Sequence, residues 1–354
     1  MAPSQMKALV AAAEHTTEVK TISVPKPGAG EVLIKVVAID LNPTDWKHAK
    51  LMSPPGVIMG CDFLGTVEDS NGTDIAEGTK VAGFVHGGKY EDRGSFAEYL
   101  VSPTSVLTKV PDNVKDEVAV SIGIAGYTAV QALYIRLGLE KPTKDSTSLP
   151  QLAEDAPQLL VWSGATSVGQ YAIQLGRASG YHVITTASPK NHEYLKSIGA
   201  AETYDYRDES TPEKIAEAHP KLSHALDCIS EKGTQSLAAR SLGKSGGSVV
   251  VLLKPEKDAI ALREDVKIVH TLAYALLGKP FNYGPAEFKE DFVKSENEKL
   301  QPFTSGGILR HLLRSELIKG NKMKKMDGGL ESVPQGMKYM EEGKVSAEKL
   351  YYLL

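Results

Sequence analysis

The sequence predicts an α/β chain of two domains, a compact β-rich module and a doubly wound parallel sheet covered by helices. Three observations predict it. The 354 residues exceed what one ordinary core organises and suggest about two domains. The first hundred residues carry short β runs punctuated by glycine and proline. From residue 159 onward, strand and helix patterns alternate, as in βαβ units.

Taken in order, EVLIKVVAID (31–40), GTVEDS (65–70), TKVAGFV (79–85) and SFAEYLV (95–101) read as strands. PKPGAGE, SPPG, NGTD and HGG break them, which predicts a barrel-like or sandwich module. Residues 117–138 repeat apolar side chains at helical spacing. The Pro-, Ser- and Thr-rich stretch 141–158 reads as an exposed inserted loop. LLVW (159–162) is a buried strand, and VGQYAIQLGRAS (168–179) a helix with an apolar stripe. HVITT, ETYDY, ALDCIS and GSVVVLL are further strands, with HEYLKSIG, PEKIAEAH and GTQSLAARSLG as helices between them. Residues 303–354 return to a mixed pattern.

Composition removes several function classes. Hydrophobic residues at 42% and charged residues at 24% are ordinary for a globular protein. A net charge of −4 without basic runs gives no reason to expect nucleic acid or an anionic membrane as partner. No leader-like n- and h-regions and no bilayer-length apolar span are read, so a cytosolic protein is expected. Two cysteines, Cys61 and Cys228, exclude a disulfide framework and a four-cysteine zinc site. The nine histidines form no spaced metal pair and read as surface or core residues.

The stretch most telling of function is LVWSGATSVGQ (160–170). A glycine-bearing loop between a parallel strand and a helix presents free backbone N–H groups at a helix N-terminus, a site suited to pyrophosphate. Gly164 lets the chain turn, Ala165 and Ser167 keep the approach open, and Gly169 lets the helix pack close. The hydroxyls of Ser163, Thr166 and Ser167 are available to phosphates. Only two glycines stand where the dinucleotide fingerprint has three, so the bare motif also fits a tight turn without ligand. The second strand ends TTASPKN (185–191) with no acid to bond a ribose. Ser188, Lys190 and Asn191 there suit a 2′-phosphate and favour NADP(H), while Ser188-Pro189 equally fits a helix start.

A β-rich first domain, NPTDWK (42–47), GCDFLGTV (60–67), the loop near 165 and SAEKL (346–350) occur in collinear order. With GIAGYTA, GATSVGQ, TTASPKN, YDYRD and ALDCI, they make nearly the whole chain resemble the medium-chain dehydrogenase/reductase superfamily. Within it the chain is similar to the zinc-free quinone-oxidoreductase and enoyl-reductase branch, and to the fungal trans-acting enoyl reductases that serve iterative polyketide synthases, the lovastatin type. The resemblance implies a GroES-like β-rich catalytic domain (1–125 and 300–354) and a Rossmann dinucleotide-binding domain (126–299). It also locates the zinc-ligand positions. The first falls in Asn42-Pro43-Thr44-Asp45, without cysteine, and the second reads Gly60-Cys61-Asp62, without histidine. NADPH without zinc is therefore expected.

The implied reaction is hydride transfer to the β-carbon of an α,β-unsaturated thioester carried by a polyketide synthase. The implied catalytic residues are Lys47 and Thr128. Thr44, Asp45, Trp46 and Lys47 would border the nicotinamide, although Asp45 equally fits a residue that only caps or orders the segment and Lys47 a solvated helix lysine. Gly164, Ala165, Thr166, Ser167 and Val168 would cradle the pyrophosphate, and Ser188, Lys190, Asn191 and Tyr206 the adenosine phosphate. Leu252 and Leu253 would end a strand beside the nicotinamide, and Lys349, Leu350 and Tyr351 would close over the cofactor. Gly123, Ile124, Ala125, Gly126, Tyr127, Thr128, Ala129 and Val130 would line the substrate pocket, joined by Tyr274, Ala275, Leu276, Leu277 and Gly278. Packing alone is an equal reading for Tyr127, Thr128 and the 274–278 segment. Cys228 reads as a small buried hydrophobe. The rival readings are a zinc-free quinone or alkenal reductase and a non-catalytic NADPH-binding scaffold. The 141–158 insertion favours a monomer.

Overall fold

The structure, a computed structural model, describes residues 2–354. One unit comprises the chain up to Ile124 with Tyr274–Arg310 and Asn321–Leu354; the other comprises Ala125–Ala273 and His311–Gly320.

The chain opens with a hairpin of β1 (Gln5–Ala11) and β2 (Thr17–Ser23), which the sequence patterns above do not single out. β3 (Glu31–Asp40) leads to helix α1 (Pro43–Leu51). β4 (Asp62–Asp69), β5 (Lys80–Phe84), β6 (Tyr99–Pro103) and β7 (Thr108–Lys109) follow, then α2 (Asp116–Val120) and α3 (Ile124–Val130). β3 is the spine of this unit. Val32, Ile34 and Val36 point into one core with Phe63, Phe96 and Leu350, while Leu33 joins Met6, Val10 and Val101 in a second. Period-2 alternation thus feeds two cores, which explains a nearly unbroken apolar run.

In the second unit β8 (Gln158–Trp162), α4 (Ser167–Ala178), β9 (His182–Ala187), α5 (His192–Ser197) and β10 (Glu202–Asp205) alternate. α6 (Thr211–Ala218), β11 (His224–Asp227), α7 (Thr234–Arg240), β12 (Gly247–Val251), α8 (Lys257–Leu262) and β13 (Val266–His270) complete it. The six strands are parallel, in the order β10-β9-β8-β11-β12-β13. The order reverses between β8 and β11, so the loop after β8 lies at the switch point, where ligands of open α/β sheets bind. Leu160, Trp162, Ile184, Ala225, Val249 and Val251 form the core beneath it.

The chain then returns to the first unit. It forms the hairpin β14 (Phe281–Tyr283) and β15 (Ala286–Phe288), then α9 (Glu290–Leu300), α10 (Ile308–Arg314), β16 (Met323–Lys325), α11 (Gly329–Glu341) and β17 (Lys349–Leu353). β17 pairs with β3 and completes a seven-stranded sheet. Residues 274–299, expected from the sequence in the dinucleotide-binding domain, cluster instead with the β-rich unit. The Tyr274 ring stacks on His86 at 3.7 Å, and the Asn297 amide donates to Ser105 Oγ at 3.0 Å. Conversely, 311–320 belongs to the parallel-sheet unit, where Gln174 bonds Gly320 O and Lys319 N. The 141–158 loop is anchored in that unit by Arg177 on Pro150 O and His311 on Ser146 O.

Candidate active site

The glycine loop is tighter than its sequence suggests. The left-handed turn falls on Ser163 (φ 66°), not on Gly164. Its amide donates to Thr186 Oγ1 at 2.9 Å, which anchors the turn to the neighbouring strand. Gly164 is required for space: a Cβ there would meet Thr185 Oγ1 and stand 2.8 Å from Ile173 Cδ1. A Cβ on Gly169 would lie 2.7 Å from Gly164 Cα. Thr166, expected among phosphate ligands, is the N-cap of α4. Its hydroxyl accepts from Gly169 N and donates to Ser163 O, both at 3.0 Å. The loop therefore offers the first-turn amides of α4 and a helix dipole more than it offers that hydroxyl.

At the end of β9 the structure brings Ser188 and Tyr206 together, 3.5 Å apart between hydroxyls. Tyr206 is 47% exposed, and Lys190 is exposed beside them. A hydroxyl, an ammonium and an open aromatic face at the carboxyl end of the second strand make a donor set suited to a nucleotide phosphate and its base. Asp227, ending β11, is wholly buried, and its carboxylate accepts from Ile229 N, Ser230 N and Thr234 Oγ1. The Ser230 hydroxyl in turn accepts from Leu252 N at 2.7 Å, fixing the end of β12. Leu253 beyond it is 39% exposed. Burial pushes the Cys228 thiol well up, so it stays protonated.

The β-rich unit holds a buried polar cluster. Lys349, 1% exposed, donates to Asp40 Oδ1 at 2.9 Å, Asp62 Oδ2 at 2.8 Å and Asn42 Oδ1 at 3.0 Å. Asn42 Nδ2 donates to Asp62 Oδ2 at 2.9 Å, and Ile124 N donates to Asp62 Oδ1 at 2.6 Å. Burial and the adjacent Asp62 push Asp40 well above the usual carboxylate range, against the pull of Lys349. Burial alone would lower the Lys349 ammonium, but Asp40 and Asp62 outweigh it and hold the pKa up. One ammonium thus serves two buried carboxyl groups and an amide oxygen.

Beside it, Asp45 closes a capping box on α1 with Asn42, whose amide it accepts at 2.7 Å. Burial raises Asp45 from 3.8 to about 7, although the Asn42 amide opposes the rise. The Tyr274 hydroxyl bonds Thr44 Oγ1 at 2.9 Å and Cys61 Sγ at 3.4 Å, and burial pushes both Tyr274 and Cys61 up.

Several sequence expectations change here. Lys349 and Leu350 do not present side chains to a cofactor: the ammonium is fully engaged and Leu350 is core. Asp45 faces inward and orders its helix. Tyr127, Ala129, Val130, Ala275 and Leu276 are buried, and Gly123 leaves room for the Asp62 carboxyl, which a Cβ would strike. Lys47 is half-buried with its ammonium 5.7 Å from the Trp46 ring centroid, and Thr128 is 9% exposed. Sequence reasoning missed the Asp40–Asp62–Lys349 group. Its signal was Asp40 ending an otherwise apolar strand. Among the described residues no group of three His, Cys, Asp or Glu side chains is placed to hold a metal ion. No helix among them is long and apolar enough to cross a membrane.

Comparison with known proteins agrees with this architecture. Residues 28–112 match the alcohol dehydrogenase GroES-like domain, and 167–291 match the model described as zinc-binding dehydrogenase. The trans-enoyl reductase ACTTS2 of Alternaria alternata is 34% identical over 98% of both chains. The trans-enoyl reductase TOXD of Cochliobolus carbonum is 35% identical over 78% of this chain and 91% of its own. A mycobacterial protein solved with NADPH superposes with a TM-score of 0.73 at 20% identity, covering 99% of this chain and 100% of that one. Fold and site thus define a medium-chain oxidoreductase. The chain belongs to the medium-chain dehydrogenase/reductase superfamily, among relatives named trans-enoyl reductases.

Two predictions follow from the buried cluster. Lys349→Met leaves carboxyl groups buried without their cation and should lower stability by about 3–5 kcal/mol in urea unfolding; an unchanged midpoint would refute the central role given to Lys349. Asp45 holds a proton when folded that the unfolded chain releases. Its contribution is present below about pH 4 and is lost as pH rises to about 7. Asp45→Asn keeps the cap acceptor and removes that loss, so the stability difference, variant minus wild type, should grow from pH 4 to 7. A flat difference would contradict the raised carboxyl.

Proposed function

We propose that the chain is an NADPH-dependent enoyl reductase that acts in trans on the α,β-unsaturated thioester of a polyketide synthase. The observation that carries this reading is the end-to-end similarity to a trans-enoyl reductase. The donor set at Ser188, Lys190, Asn191 and Tyr206 supports NADPH over NADH, since no acid stands there to bond a free ribose. The reading takes no zinc. Asn42, Asp40 and Asp62 are bonded to an ammonium, and the Cys61 thiol stays protonated, which is a poor ligand set.

When bound, NADPH supplies the hydride for the β-carbon. The amides at the start of α4 hold the pyrophosphate, with Gly164, Ala165, Ser167 and Val168 lining the approach. Ser188, Lys190 and Asn191 bind the 2′-phosphate and Tyr206 covers the base. In the parallel-sheet unit, Leu252 and Leu253 would border the nicotinamide. The Lys47 ammonium would stabilise the oxyanion that develops on the thioester oxygen. In the β-rich unit, Leu277 and Gly278 are the residues of 274–278 left accessible to a substrate. The partner is the acyl carrier of a synthase, and the reductase is a monomer.

NADPH consumption should be measured with a short enoyl thioester, a free enal and a quinone. Turnover should be fastest on the thioester; preference for the quinone would replace the reading with quinone reduction, and tight NADPH binding without turnover on any of them with a scaffold. Lys190→Ala should lower the NADPH-over-NADH preference about tenfold or more, through loss of one charge-assisted bond. An unchanged ratio removes Lys190 from the phosphate site. Lys47→Met should lower kcat about 100-fold, the usual consequence of removing one oxyanion donor.

A further inference from the structure

The β-rich unit contains a cavity that takes no part in the reading above. It is about 430 Å³ and is lined by the Asp74–Ile75 loop, the Thr104–Lys109 segment and the turn from Gln301 to Arg310. Its walls are fixed by their own bonds. The Thr304 hydroxyl donates to Ser105 O at 2.7 Å, Gly306 N to Gln301 O at 2.7 Å, and Gly307 N to Thr304 O at 3.0 Å. Ser105 Oγ accepts from the Asn297 amide at 3.0 Å, which leaves its own proton to donate.

What these walls offer is unbalanced. The side chains of Lys109 and Arg310 have no ion-pair or hydrogen-bond partner among the described residues, and Lys109 is half-buried. Lys109 is a cation held partly out of water without an anion, and Arg310, exposed, lines the same cavity with no anion of its own. The Ser105 and Thr104 hydroxyls add donors beside them. Asp74 at the rim contributes one negative charge, so the lining is net positive by one. Ile75 and Leu107, at 4% and 1% exposure, are the apolar side chains of the lining.

We propose that this cavity binds a phosphomonoester, a small organic molecule bearing one dianionic phosphate. The phosphate meets Arg310, whose planar fork matches its oxygens, together with Lys109 and the two hydroxyls. The carbon body lies on Ile75 and Leu107, and Asp74 and the Gln301 carbonyl accept from its hydroxyls. Asp74 disfavours a polyanion, which separates this site from a nucleic-acid or anionic-membrane surface. The volume matches a ligand of small-molecule size.

The test is isothermal titration calorimetry of the full chain with glycerol 3-phosphate, with glycerol as the uncharged control. Wild type should bind glycerol 3-phosphate saturably, and the Lys109→Ala/Arg310→Ala variant should bind it about tenfold or more weakly, as expected for the loss of charged hydrogen bonds. Arg310 is exposed, so Arg310→Gln alone, checked by circular dichroism, covers a failure of the double variant to fold. Lys190→Ala reports on the nucleotide loop and should bind as wild type does. Absence of saturable binding overturns the site. So does wild-type affinity in both cavity variants, or weakening by Lys190→Ala in their place. Because the cavity shares no residue with the proposed reductase machinery, neither outcome bears on the reductase reading.

Discussion

The β-rich unit depends on one buried ammonium. Lys349 comes from β17, the last strand, and reaches residues that begin or end three other elements. Asp40 ends β3, Asn42 caps α1 and Asp62 begins β4. Asp62 passes the constraint on, because its second oxygen accepts the amide that opens α3. The position of Gly123 follows from this, since any larger residue would strike the same carboxyl. An unpaired charge could not persist at this depth. The cluster persists because the ammonium is bonded to both carboxyl groups and nearly every acceptor has a donor, leaving only Asp40 Oδ2 unbonded within the group. The geometry of the NPTDWK segment is thus set by the far end of the chain.

The parallel-sheet unit solves a different problem, close approach of backbone to backbone. Its two loop glycines stand where a Cβ would meet Thr185, Ile173 or the loop itself. The left-handed turn that a fingerprint glycine would take is made by Ser163, at a cost of roughly 1–2 kcal/mol for a residue with a Cβ. The bond from its amide to Thr186 offsets that strain. The variant motif is therefore a repartition of roles. Glycine is kept where space is absent, and serine is tolerated where a neighbouring strand supplies a bond.

This division explains what the sequence revealed. Alternating strands and helices after 159, the loop at 163–169 and the acid-free end of β9 are local patterns, and local patterns are legible. The apolar run 31–40 was legible as a strand, but not as a strand feeding two cores. Residues 274–299 follow the last parallel strand in sequence, so spacing alone assigned them to that unit; ring stacking of Tyr274 on His86 decides otherwise. Lys349 was the hardest. A lysine in SAEKL reads as solvated because lysines are almost never fully buried, and only the pairing of β17 with β3 carries it inward. Its partners lie some three hundred residues away in sequence, where no periodicity can reach.

The protonation states of the buried groups bear on the chemistry the β-rich unit can support. Cys61, Tyr274 and Asp40 are all pushed up by burial. The Asp62 carboxyl group is bonded to Lys349, Asn42 and Ile124. None of these is a thiolate, phenolate or free base poised to attack a substrate, so covalent nucleophilic catalysis has no obvious agent among them. What they form is a bed of mutually bonded groups beneath α1, the helix that carries Thr44, Trp46 and Lys47. A reaction whose bond-making electrons come from a bound reductant needs such a bed: it asks of the protein position and one well-placed charge, and little acid–base strength of its own. The enoyl-reductase reading makes that demand, and on it Lys47 is the charge and Lys349 is what keeps its helix in place.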